Sequence, residues 1–318
     1  MAGEQDGESP GEKLKQDRGY SAPVAFLLLV AAATAFASNG VAARFATVVV
    51  PAPPATLSLW RWIVVVLLLT PFVLKGVIAH RAQIMRELPV IFGFGATGMV
   101  LASSLLYLAG QTTPAINIIF FYALSPALIA FGARLSIGER TGLKQIAGML
   151  LALFGVLYIV TAGHIESMLQ LALGKGDVYC LVSMVSWSVY AVSVGRWPSK
   201  LPPLVRMWAI SVAGIICLLP FVAWEMALGL HMEPTRNIVL MVLFIGFVPT
   251  LFGFLLHSHL AKRIGAARAG LVGYISPISG ALLAWAVIGE KLYFFHLIGA
   301  AAALGGVWLA TQPVNRKA

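Results

Sequence analysis

Long apolar runs alternate along the chain with short polar, Pro-rich or Gly-rich breaks, and each run approaches the length of a membrane-crossing helix. A helix rises about 1.5 Å per residue, so roughly 20 apolar residues cover a hydrocarbon layer about 30 Å thick. The pattern predicts ten helices, over residues 22–43, 55–74, 88–109, 113–134, 143–162, 177–196, 203–224, 237–260, 265–287 and 293–311. Short connectors suit a bilayer, where every backbone polar group must be satisfied inside the helices. The expected fold class is all-α integral membrane.

Composition agrees: 59% of residues are hydrophobic, 11% are charged and the mean hydropathy is +0.89, more apolar surface than a water-soluble core of this length can hide. The formal charge of +10 would suit nucleic acid if it lay on one polar face. Here the basic residues sit in the connectors, so nucleic acid is not an expected partner and the charge reads as a topology signal. Placing both termini in the cytoplasm leaves only Arg44, Lys175, Arg236 and Lys291 on the far side, with Arg61 near the start of the second run assigned to neither. Residues 1–20, polar and of mixed charge, read as a disordered cytoplasmic tail, and 312–318 as a second one. Cys180 and Cys217 lie in apolar runs and read as packing residues. Neither metal nor cofactor is expected.

An internal repeat is the strongest signal. A shift of 151 residues lays Ser125-Pro126 on Ser276-Pro277, and Ile137-Gly138-Glu139-Arg140 on Ile288-Gly289-Glu290-Lys291. Gly148, Gly155 and Val156 then fall on Gly299, Gly306 and Val307, and Asn39 on Tyr190. The domains predicted are 21–163 and 164–311. Five helices per copy force the second to insert upside down relative to the first, and the charges agree: the connector at Arg140 is rich in basic residues, whereas Lys291 is the single one in its own. Inverted repeats of this kind are a recurring transporter architecture, with the substrate site near the midplane.

Leu255 to Leu292, carrying Ala261-Lys262-Arg263-Ile264-Gly265-Ala266-Ala267, Ser276-Pro277 and Gly289-Glu290-Lys291, resembles the second EamA repeat of the drug/metabolite transporter superfamily. Ser125-Pro126, Gly138-Glu139-Arg140 and the stretch from Gly148 to Gly155 resemble the first. The resemblance spans about residues 22–311. It implies ten transmembrane helices around a central cavity that opens alternately to either side. Overall likeness within the superfamily is to exporters of amino acids, aromatic ones included, in the bacterial inner membrane. The expected partners are thus an amino-acid substrate and the lipid bilayer, and the expected working unit is a monomer.

Which residues could form the site follows from what a bilayer penalises. A polar tip inside lipid must find a partner, so Asn39, Ser103, Ser104, Tyr107, Asn117, Tyr122, Trp187, Tyr190, His257 and Tyr274 should point into the bundle, where aromatic faces could also receive a planar or apolar side chain. Trp187 and Tyr190, three residues apart, share a helix face and are favoured as wall residues. Helix-helix hydrogen bonding competes with a binding role for each of them. Ser125-Pro126 and Ser276-Pro277 are expected helix breaks or hinges, with the carbonyl that proline frees either satisfied by the serine or facing a cavity. Trp60 and Trp62 read as interfacial anchors. His259 is expected near the cytoplasmic interface with Lys262 and Arg263.

Some chemistries drop out. Every acidic residue lies in the N-terminal tail or at a helix end, so a carboxylate-coupled cation pump is disfavoured; transport would be facilitative, or coupled through a weaker device such as His257. Gly174-Lys175-Gly176-Asp177 matches the Gly-x-Gly-Asp of intramembrane aspartyl proteases, but that chemistry needs two carboxylates, and the other aspartates are Asp6 and Asp17 in the tail. No enzyme is expected. Amino-acid export leads over efflux of lipophilic or cationic compounds, and over a membrane sensor or scaffold that moves no solute.

Overall fold

The computed structural model describes residues 20–48, 52–137, 142–164, 166, 173–264 and 269–311. The two expected tails fall outside these residues, apart from Tyr20, as do Glu139 and Arg140. Among the described residues the chain is helical, without strands. In order, the helices are α1 (Ala22–Val48), α2 (Pro54–Ala79), α3 (Arg81–Phe94), α4 (Ala102–Ala109), α5 (Ala115–Ala123), α6 (Ser125–Ile137), α7 (Leu143–Val160), α8 (Lys175–Arg196), α9 (Pro203–Ala227), α10 (Arg236–Ile245), α11 (Gly253–Ile264), α12 (Val272–Leu283) and α13 (Phe294–Thr311).

Among the described residues, eight helical runs are long and apolar enough to cross a membrane. In two of them a wide, π-type turn joins successive helices: Gly95–Leu101 links α3 to α4 and Gly246–Phe252 links α10 to α11. These turns are themselves 151 residues apart, a recurrence that the polar matches had not revealed. The last two predicted helices correspond to shorter apolar stretches, Val272–Ile288 and Phe294–Ala310.

The predicted boundary misses by seven residues at the third run. Helix begins there at Arg81, because the polar stretch Arg81–Glu87 is helical ahead of the apolar residues and Pro89 is accommodated inside α3. The expected proline breaks also differ between the copies. Near Pro126 the helix is interrupted at Leu124, whereas Pro277 lies inside the continuous α12 and a wide turn follows at Ala284–Ile288. Neither serine satisfies a carbonyl freed in its own helix: Ser125 Oγ is buried without a partner, and Ser276 Oγ donates across to the Ala33 carbonyl of α1 at 3.2 Å.

The most extensive pairings join the first half of the chain to the second: α7 with α13, α2 with α9, α1 with α12, and α4 with α8. Glycine allows the closest of these. A Cβ on Gly148 would meet the backbone of Gly306 and Ala310, and one on Gly155 the backbone of Gly299 and Ala303. Residue numbers rise on one helix as they fall on the other, so α7 and α13 run antiparallel in backbone contact. Small residues permit such approach where lipid gives apolar side chains no preference for one another.

Carboxylates of the second half tie down helix starts in the first. Glu225, buried in the last turn of α9, accepts from the Ala55 and Thr56 amides of α2 at 2.7 and 2.8 Å and from Thr56 Oγ1 at 2.8 Å. Glu290 does the same for the Ala115 and Ile116 amides of α5, at 2.7 and 3.0 Å. Asp177 accepts from the Gly174 amide at 3.0 Å and from Thr113 Oγ1 at 2.9 Å. The first free amides of a helix carry partial positive charge and lack partners within it, so a carboxylate suits them doubly. The aspartate of the Gly-x-Gly-Asp sequence is thus a structural cap.

Candidate functional site

The interior polar cluster is centred on Arg61, which is not among the candidate site residues expected from sequence. Its residue is 7% exposed. Nε donates to Thr250 Oγ1 at 2.8 Å, and Nη1 reaches Tyr107 OH at 3.0 Å, Asn39 Oδ1 at 3.3 Å and Ser103 Oγ at 3.3 Å. Tyr107 OH donates in turn to Asn39 Oδ1 at 3.2 Å, and Ser58 Oγ to Ser103 Oγ at 2.9 Å. One guanidinium therefore ties together α1, α2, α4 and the Gly246–Phe252 turn. A Cβ on Gly246 would press on Val64 and the Arg61 carbonyl, so glycine there lets the turn approach α2. Trp62 completes this side: it is buried, its ring lies 4.9 Å from Arg61 Cζ, and its Nε1 donates to the Met99 carbonyl at 3.3 Å. That corrects the expected interfacial role for Trp62. Trp60, two residues back, points the other way on the helix and is exposed, as an interfacial anchor would be.

Three expected residues, Asn39, Ser103 and Tyr107, thus belong to one network. Tyr122 belongs to its neighbour: its hydroxyl and that of Ser183 meet at 2.7 Å, and both lie against the Ala102 carbonyl. Ser186 Oγ donates to the Thr97 carbonyl at 3.0 Å. Residues 97–103 are therefore flanked by the Arg61 cluster on one side and by α8 on the other.

Trp187 and Tyr190 do come together, with ring centroids 5.3 Å apart. Tyr190 rests on Gly98, where a Cβ would strike its ring, and meets Phe94 edge-on at 5.8 Å. Trp187 is 37% exposed. It nevertheless shares a face of α8 with Cys180 and Ser183, seven and four residues earlier and both fully buried. The exposed Val178, Val182, Val185 and Val189 occupy the opposite face. The indole is therefore open towards the inside of the bundle.

Among the described residues, His257, Asn117 and Ser104 make no hydrogen bond to this cluster. His257 is half-buried on α11, its ring 6.0 Å edge-on from Phe36, and Tyr274 packs half-buried against the main apolar core. Asn117 is half-buried on α5 and Ser104 Oγ is buried without a partner. His259 Nε2 pairs with Tyr20 OH at 2.6 Å, far from the cluster in the chain. Arg61 could have been found from sequence by one feature: it is a basic residue inside an apolar run, with no acidic residue within a helical turn on either side.

A multi-pass helical membrane protein whose two halves pair along their length around a polar interior is the class that these features define. The EamA-like transporter family pattern matches residues 23–161 and again residues 174–312, and the chain belongs to that family. Membership implies a small-molecule substrate. Relatives include the uncharacterized transporter YyaM of Bacillus subtilis, 26% identical over 82% of this chain and 86% of its own length. A probable terminal-alkyne amino-acid exporter of Streptantibioticus cattleyicolor is 27% identical over 76% and 78%. A probable amino-acid metabolite efflux pump of Salmonella typhimurium is 24% identical over 54% and 58%. One crystal structure shares the fold with a TM-score of 0.60 at 20% identity, over 92% of this chain and 97% of that one.

Proposed function

We infer that the chain exports neutral amino acids, aromatic ones included, across a bacterial inner membrane by alternating access between two inverted five-helix halves, as a monomer with both termini in the cytoplasm. The observation that carries the reading is the inward-open Trp187–Tyr190 pair, set beside the same 97–103 segment that the Arg61 cluster flanks. An amphipathic solute needs an apolar wall and a few fixed polar groups, and both flank one segment here. The names of two relatives, which mention amino acids, support the substrate class, and the narrower resemblance to the amino-acid exporter YddG points the same way. The antiparallel run of α7 and α13, two helices that the repeat makes equivalent, supports inversion.

Flux tests the substrate. Purified protein in proteoliposomes is expected to move labelled L-phenylalanine and L-leucine, and Trp187→Ala to weaken the half-saturation for phenylalanine about threefold to tenfold, the scale of one lost aromatic contact. No flux of either amino acid would overturn the reading; an unaltered half-saturation would remove Trp187 from the site. Labelling tests inversion. Single cysteines at Arg140 and Lys291 are expected to react with a membrane-impermeant reagent from opposite sides, and reaction from one side alone would defeat it.

A further inference from the structure

We propose that Arg61 is the binding point for the carboxylate of the transported solute, a refinement that rests on the proposed function. Its geometry is that of a charge waiting for a partner. The side chain is more than nine-tenths buried, yet no carboxylate contacts it among the described residues. Thr250, Tyr107, Asn39 and Ser103 all offer neutral oxygens, and they occupy Nε and Nη1 alone. Nη2 has no hydrogen-bond partner among the described residues and is not fully enclosed, so it keeps some exposed surface.

An ion taken out of water without a counter-charge is strongly disfavoured, and neutral acceptors offset that only in part. A solute carboxylate can supply the balance. A guanidinium held through Nε by Thr250 and through Nη1 by Tyr107 and Asn39 presents Nη2 in a fixed orientation, and a charge-assisted hydrogen bond from it to a carboxylate oxygen is stronger than one to a neutral acceptor.

The repeat sharpens the assignment. At the shift of 151, Arg61 corresponds to Val212, Asn39 to Tyr190 and Phe36 to Trp187. One half has thus built a charged polar cluster where the other has built an aromatic wall. A zwitterion with an apolar side chain, carboxylate towards Arg61 and side chain towards Trp187, uses both. A lipophilic cation would meet the guanidinium's repulsion, so the same residue excludes the competing class of substrate.

Ligands that differ in one group decide the matter on the unaltered protein. Against labelled L-phenylalanine flux, 3-phenylpropionate, which keeps the carboxylate, is expected to compete, and phenethylamine, which lacks it, to compete at least about tenfold more weakly. Arg61→Gln should raise the half-saturation for phenylalanine at least about tenfold with a smaller change in maximal rate, and erase the difference between the two competitors. Arg61→Lys, which keeps the charge but not the planar donor held in place by its neighbours, should fall between. A purely structural Arg61 would lower the amount of folded protein in both variants without altering the ranking of competitors. Equal competition by the amine and the acid overturns the proposal, whether or not Arg61→Gln folds. Should the unaltered protein move no amino acid, the proposed function fails alone: a rise in melting temperature with 3-phenylpropionate, smaller in Arg61→Lys and absent in Arg61→Gln, would still support the carboxylate site, and no rise would overturn it too.

Discussion

Gly155→Val is expected to yield almost no folded protein. A Cβ at this position would meet the backbone of Ala303 and Gly299 on α13, and a backbone cannot step aside as a side chain can. Overpacking a well-filled contact ordinarily costs about 1–3 kcal/mol. Here the extra volume must separate two helices along their whole contact, and the Gly148 contact with Gly306 and Ala310 opens with it. The measurement is the yield of monodisperse protein in mild detergent and its melting temperature. Gly305→Ala is the matched control, one residue from Gly306 on α13 but with nothing within 4 Å of its added Cβ, and it should behave as the unaltered protein. If Gly155→Val folds as well as Gly305→Ala, α7 and α13 do not meet on their glycine faces.

The second large effect is expected at Glu225. Glu225→Ala leaves the Ala55 and Thr56 amides without an acceptor where neither is open to water, and a buried donor so stranded costs about 1–3 kcal/mol. Removal of a negative charge from the start of α2 adds to the loss. Glu225→Gln should recover only part, since its carbonyl satisfies one amide while its own NH2 is turned towards the other. Glu290→Ala breaks the same arrangement at the start of α5, but Glu290 is half-buried, so water can replace the carboxylate and the loss should be smaller. The order of melting temperatures, lowest for Glu225→Ala and higher for Glu290→Ala, checks the argument; the reverse order would mean that burial does not set the cost.

Both effects depend on contacts between the halves, and this is where reading from sequence stops. The apolar runs, the 151-residue recurrence and the expectation that polar side chains turn inward all follow from local pattern, because a bilayer allows few structures and helical periodicity fixes which residues share a face. Asn39, Ser103, Tyr107 and Tyr122 were legible on that ground. So was the Trp187–Tyr190 pair, whose spacing of three needs no tertiary information.

Arg61 was not legible in the same way. As one residue in an apolar run it reads as a stray basic side chain, and its partner Thr250 lies 189 residues away in a turn whose wide geometry the sequence did not announce. Trp62 misled for the related reason that an aromatic near a helix start resembles an anchor until its neighbour is known. The amino-acid sequence by itself determined an all-helical membrane protein made of two similar halves. Only the tertiary structure decided which helix faces which, and hence that a guanidinium and an aromatic wall flank one segment: pairing in lipid is set by where small residues let backbones touch, a property of two surfaces together that neither run of residues contains alone.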